Sequence, residues 1–282
     1  MGLPSARWKW GGISILICAV AYTILAHFAS SRHLWQELLL NLTFALGAGW
    51  SAWRASRMWR RFTPLDPPRR VWRFFALGLW FWTAAELLWA VMAYFYGEEL
   101  PVITLADLCW VVGCLLLIAS LAAQYRLLYR LSAARARGLL AAAVGLLLLL
   151  SGGVALLVPL VATPELSRGE LFLLVFYPLA DLLLAIGAWH IARSFGEGRF
   201  ARVWYALFLF AVSDTLYTWL LSKGVYVLVG DSNFLTLLTD TLYLGAYLLL
   251  GWMCQAQEYL LLYGPRWRHL KVLPPRSLRE GE

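Results

Sequence analysis

The chain has 282 residues, 61% of them hydrophobic and only 14% charged, with a formal net charge of +8. A soluble domain carries about 25% charged residues, so this composition excludes a soluble globular protein and points to an integral membrane protein. The positive balance does not imply a nucleic-acid partner, because the basic residues are distributed as membrane topology requires.

Apolar windows of about 20 residues, enough to cross a hydrocarbon core, recur eight times. They fall near 12–30, 34–53, 72–96, 102–124, 138–160, 170–195, 202–222 and 234–257. The expected fold is all-α and integral to the membrane. Residues 1–137 form a first four-helix unit with a basic loop at 54–73, residues 138–263 form a second, and 264–282 are a basic tail. With the N-terminus in the cytoplasm, Arg7, Lys9, the seven arginines of 54–73, Arg126 to Arg137, Arg193 to Arg202 and the tail all share that side. Only Arg32, Arg168 and Lys223 fall opposite. The positive-inside rule therefore predicts eight spans in the inner membrane with both termini cytoplasmic. The 54–73 loop would lie on anionic lipid headgroups rather than bind nucleic acid. A cleaved signal peptide over 7–30 is rejected, because it lacks a clean small-x-small site and its removal would leave an odd number of spans.

The two units read as copies. WFWTAAELLWAVMAYFYG and LADLCWVVGCLLLIASL in spans three and four match LFLFAVSDTLYTWLLSKG and LTDTLYLGAYLLLG in spans seven and eight. Glu86 aligns with Asp214, Asp107 with Asp240 and Gly113 with Gly245. One span earlier, Asn41 and Gly47 align with Asp181 and Gly187. Units of four spans keep the same orientation, so the copies would be parallel repeats about an axis along the membrane normal.

Four times a carboxylate inside an apolar span is followed three residues later by an aromatic: Glu86–Trp89, Asp107–Trp110, Asp214–Tyr217 and Asp240–Tyr243. Residues three apart share one helix face. Asp181 is a fifth intramembrane carboxylate. Away from the span ends no Lys or Arg accompanies them, and an ionised group at the bilayer centre costs about 2.5–3.5 kcal/mol, so a site is expected. Counted from the outer ends of their spans, these groups and Asn41 lie at depths of about 8–17 Å at 1.5 Å per residue. That predicts an outward-opening pocket, lined also by Thr83, Thr104, Ser213, Thr218, Thr236 and Thr239. A carboxylate beside an aromatic face suits a small polar or cationic ligand. The competing role is hydrogen bonding between helices, worth about 0.6 kcal/mol per contact.

Other chemistries fail on residue type or position. A retinal Schiff base needs a lysine within a span, and Lys9, Lys223 and Lys271 all lie at edges. His27 and His190 lie at opposite depths, which does not suit haem, and His27 and His33 lack metal-ligand spacing. Cys18, Cys109, Cys114 and Cys254 read as small buried hydrophobes. No cofactor and no resident metal is expected. Asn41–Leu42–Thr43 matches a glycosylation sequon but lies within a span. Among the tryptophans, Trp8, Trp10, Trp35, Trp59, Trp72 and Trp267 fall at interfaces, whereas Trp80, Trp82, Trp89, Trp110, Trp189 and Trp219 lie deeper.

The acidic residue in span three, Pro101 with Ala106–Asp107 entering span four, Tyr177–Pro178–x–x–Asp181 in span six and Asp240–x–x–Tyr243 in span eight resemble a membrane-sensor region. That region precedes diguanylate cyclase, phosphodiesterase or histidine kinase domains in bacterial signalling proteins. The resemblance covers nearly the whole chain and implies an eight-helix input module read from the outer side. After span eight only GPRWRHLKVLPPRSLREGE follows. An output domain is not expected within it, so the module would act alone, signal through a cytoplasmic partner, or represent a piece cut at the linker. Three functions remain open: a sensor-like ligand-binding protein, a proton- or cation-coupled transporter with duplicated halves, and a membrane-embedded lipid hydrolase using an Asp pair. Membrane lipids are expected partners in all three.

Overall fold

A computed structural model describes residues 34–96, 103–129, 167–195, 199–227 and 233–263, together with part of 11–25. Every described regular element is helical: α1 (Leu34–Trp59), α2 (Pro67–Tyr96), α3 (Leu105–Tyr129), α4 (Arg168–Ser194), α5 (Arg202–Ser222) and α6 (Phe234–Tyr263). A 3₁₀ turn, Arg199–Ala201, leads into α5. The described residues within 11–25 are helical as well. Five helices, α2 to α6, are long and apolar enough to cross a membrane. At 1.5 Å per residue the 30-residue α2 and α6 are each about 45 Å long, enough to project beyond the hydrocarbon core. The expected fifth span at 138–160 and the tail lie outside the described residues.

Local chemistry sets the helix ends. Asp66 accepts from the Thr63 amide and hydroxyl, and Pro67 and Pro68 open α2, where a missing N–H costs nothing. Ser167 and Glu170 close a reciprocal capping box on α4. Asn233 accepts from the Thr236 amide at the start of α6. These boundaries shorten the expected 54–73 loop. Arg54 and Arg57 belong to α1, Arg69, Arg70 and Arg73 belong to α2, and only 60–66 joins them.

The six helices pack as a closed ring in chain order, each against the next and α6 against α1. Contacts fix their directions. Arg57 and Arg61, at the end of α1, meet Glu258 near the end of α6, so these two run parallel. Asp107, at the start of α3, is bonded by Tyr177 in the first half of α4, so these also run parallel. The Trp80 indole donates to Ser56 and the Ser120 hydroxyl to the Val71 carbonyl, which sets α2 antiparallel to α1 and α3. Trp189 against Tyr205, with the Thr215 hydroxyl on Asp181, does the same for α5 against α4. Tyr22 reaches Asp240 and Gly11 lies against Trp252, so the N-terminal segment runs antiparallel to α6.

Consequently Arg54 to Arg73, Arg126, Arg193, Arg199 and Arg202 gather at one end of the bundle, hereafter the arginine end. Arg168 and Lys223 lie at the other. The core is built from small and aromatic side chains. Ala48, Ala52 and Ala55 are fully buried at helical spacing on α1, which lets backbones approach closely. Trp82 and Phe210 join α2 to α5 across the middle, with ring centroids 4.7 Å apart. Leu46, Phe95, Phe172 and Phe234 are exposed on the outside, the distribution that an apolar solvent permits.

Candidate functional site

The carboxylates converge in the half of the bundle opposite the arginines. Glu86 is 4% exposed on α2 and accepts from Tyr247 at 2.7 Å and Tyr243 at 3.2 Å, both on α6. The two phenols are themselves 3.3 Å apart. Asp214 on α5 and Asp181 on α4 lie close enough to couple electrostatically, and Tyr243 lies beside Asp214. The Thr215 hydroxyl donates to Asp181 at 3.5 Å. The result is a polar cluster of Asp181, Asp214, Tyr243 and Glu86, drawn from α4, α5, α6 and α2.

Aromatic rings wall this cluster. Phe210 stacks on Tyr243 at 5.7 Å, and Tyr217 stacks on it at 6.4 Å. Tyr217 lies within electrostatic reach of Asp214, Glu86, Asp240 and Asp107, which places it at the middle of the group. Trp110 packs between Trp82 and Trp89, with centroids at 6.3 and 5.7 Å. The buried indole N–H groups of Trp82 and Trp110 have no hydrogen-bond partner, and neither does Asp181 Oδ1. Trp110 lies beside the Glu86 carboxyl without closing a bond to it. Trp82 is held there by a close helix approach: a Cβ on Gly113 would stand 2.4 Å from its ring.

Asp240 and Asp107 form two satellites. Asp240 is 5% exposed and accepts from Tyr226 at 2.6 Å and Tyr22 at 3.4 Å. Tyr226 reaches it because α5 ends on Gly224 at φ 64°, a left-handed turn open to glycine, after which the Tyr226 amide bonds back to the Leu220 carbonyl. Asn233 Nδ2 donating to the Val225 carbonyl, and the Val227 amide donating to Thr236, hold that turn over Asp240. Asp107 has two jobs. Its Oδ2 accepts from the Thr104 amide and hydroxyl, both at 2.8 Å, in a cap on α3. Its Oδ1 accepts from Tyr177 at 2.8 Å.

Three expectations change. First, the carboxylates do not bond the ring three residues along their own helix. Glu86, Asp107 and Asp240 each take a phenol from elsewhere in the chain, because a ring on the same face lies beside the carboxylate rather than across from it. Second, Glu86, Asp181, Asp214 and Asp240 are enclosed rather than lining an open funnel. Third, Asp107 is one turn from its helix end, while Asp181 lies in the middle of α4, so depths run from about 3 to about 20 Å at 1.5 Å per residue. Tyr247, Tyr226, Tyr22 and Trp82 were not singled out with the site. The signal was present in Tyr243–x–x–x–Tyr247, which puts two phenols on one face of α6.

No Lys, Arg or His among the described residues pairs with Glu86, Asp181 or Asp214, and no three His, Cys, Asp or Glu side chains there are placed to hold one metal ion. No protein-family model matches this chain, and neither a curated protein nor a solved structure matches it.

Proposed function

We propose that this chain is a sensor-like inner-membrane protein of eight spans with both termini cytoplasmic, in which the interior carboxyls bind a small polar or cationic ligand from the outer side. The carrying observation is the convergence of Glu86, Asp181 and Asp214 from three helices, buried, with no described cationic partner and with Asp181 Oδ1 left without a donor. An amine would supply the missing charge and donors, and the rings would face its cationic end. The buried state is then the closed form, and a ligand acts by favouring one helix arrangement over another. Helix α6 is the element suited to relay this to a cytoplasmic partner. It carries Asp240, Tyr243 and Tyr247 at one end and Glu258, clamped by Arg57 and Arg61, at the other.

The topology draws support from direction. Helices α3 and α4 run parallel, which fits the odd number of spans that eight spans would put between them. The parallel repeat draws support from helix pairing: α1 packs parallel to α6 as α4 packs parallel to α3, pairs that a two-fold axis would relate. The residue contacts are out of register with the alignment of Asp107 on Asp240, since Gly47 faces Leu244 and Tyr247 whereas Gly187 faces Leu121. Gly113 and Gly245 are not equivalent, since a Cβ on Gly245 would meet nothing within 4 Å.

The test is thermal stability of the detergent-purified chain against monoamines, polyamines and lysolipids, since a ligand that binds the folded state raises the melting temperature. The expected result is an amine-dependent rise that Glu86→Gln and Asp214→Asn each abolish. No rise with any ligand, together with amide variants as stable as the parent, would reduce the carboxyls to helix–helix contacts.

A second reading, proton-coupled transport, is favoured by the clustering of Asp181, Asp214, Tyr243 and Glu86. Against it, the arginine half of the core is filled by Ala52, Ala55, Phe75, Ala76, Ala188 and Ile191. Proton flux in liposomes separates the two. For the lipid hydrolase, the carboxyls near enough to couple are Asp181 and Asp214, while Asp107 and Asp240 are each engaged by their own tyrosines.

A further inference from the structure

The arginine end carries positive charge that the fold does not neutralise. Glu258 is fully buried on α6, and its Oε1 accepts from Arg57 Nε at 3.2 Å and from Arg61 Nε and Nη2 at 3.1 and 2.8 Å. Arg54 Nη1 stands 4.0 Å from Oε2, beyond a hydrogen bond. Three guanidiniums thus share one carboxylate and leave two positive charges in excess. The Arg54 side chain is only 7% exposed, and its Nε and Nη2 are buried without a partner, as is Glu258 Oε2. Buried guanidinium donors without an acceptor are costly, and a single carboxylate cannot satisfy all three arginines. On the outer side of the group, Arg54 and Arg57 lie over the half-exposed Trp53 ring at 5.2 and 5.4 Å. Leu65 is 92% exposed in the turn that follows α1.

We propose that Arg54, Arg57 and Arg61 form a binding site for a phosphate-bearing anion at the seam between α1 and α6. A phosphate presents several acceptor oxygens to guanidinium forks, which is the geometry arginine recognises best. It supplies the acceptors that Arg54 lacks and the negative charge that Glu258 alone does not. Glu258 then acts as the anchor that orients the arginines. Inorganic phosphate and a lipid phosphodiester share this chemistry, and the exposed Trp53 and Leu65 beside the arginines are placed to meet acyl chains if the source is lipid. This site stands independently of the carboxyl site at the other end.

The experiment uses the full chain in an uncharged maltoside detergent and follows its melting temperature. The probes are sodium phosphate against sodium chloride at equal ionic strength, and short-chain phosphatidylglycerol against phosphatidylcholine. The expected result is a saturable rise with phosphatidylglycerol, with a midpoint about ten-fold weaker in Arg57→Gln, the effect of losing one charged hydrogen bond. A rise with both anions assigns the site to phosphate itself, and a rise with phosphatidylglycerol alone assigns it to lipid. Equal responses to the two lipids with no phosphate effect, or an Arg57→Gln midpoint equal to that of the parent, would overturn the proposal. Arg54→Gln tests the buried donor directly. Should that variant fail to fold, native mass spectrometry of the parent decides the matter by counting phosphatidylglycerol against phosphatidylcholine bound.

Discussion

Glu86 and Glu258 are both buried glutamates bonded across an interface with or on α6, and they differ in what bonds them. Glu258 receives Arg57 from α1 and Arg61 from the turn that follows it, with Arg54 beside it, whereas Glu86 receives two tyrosines. A guanidinium returns both a hydrogen bond and a charge, so the arginine end is a clamp whose carboxylate is compensated in charge. A phenol returns only a hydrogen bond. The carboxyl end is therefore held in shape without being neutralised, which is the condition for taking up a proton or a cation. The same residue type is thus held by charged partners at one end and by neutral ones at the other.

Removing Glu258 should have the largest effect on this contrast. Glu258→Gln leaves three guanidiniums without a carboxylate, one of them buried, and is expected to cost about 3–5 kcal/mol, read by denaturation in detergent. At the opposite end Glu86→Gln should leave stability within about 1 kcal/mol, because an amide still accepts from both phenols. It should nonetheless abolish any amine-dependent rise in melting temperature. If the two amides destabilise equally, the two ends are not different in kind. Gly113→Ala drives a Cβ into the Trp82 ring and should cost about 1–3 kcal/mol, with a change in tryptophan fluorescence. Gly245→Ala meets open space and should leave melting unchanged, so similar losses in both would mean that the ring packing is misplaced. Removing the Asp107 cap by Asp107→Ala should cost about 1 kcal/mol in the same assay. Asp107→Asn is expected to retain the amine response, since that carboxylate is committed to Thr104 and Tyr177. Loss of response there would bring Asp107 back into the site.

Much of the frame was legible from residue pattern. The apolar windows of α2 to α6 and the clustering of Lys and Arg predicted helices with basic residues at one end, because hydropathy and loop charge are local properties. The intramembrane carboxylates stood out for the same reason. Their partners did not. Spacing of three along a helix identified Trp89 with Glu86 and Tyr217 with Asp214, yet Glu86 is bonded by Tyr243 and Tyr247, more than 150 residues away. The Thr104–x–x–Asp107 cap was readable in principle, since Ser or Thr followed three residues later by an acid is a helix-start signature. The role of Glu258 was not, because nothing near it in sequence is basic.

What the sequence alone determined is therefore the class of molecule and its polarity: apolar helices that a membrane can hold, arginines at one end and acidic residues within. These follow from the energies of single groups moved between water and lipid, which need no knowledge of neighbours. Tertiary structure alone decided which carboxylates meet, which are capped and which are compensated. Those outcomes depend on helix direction and ring order, and hence on side chains brought within 3 Å of each other from distant parts of the chain.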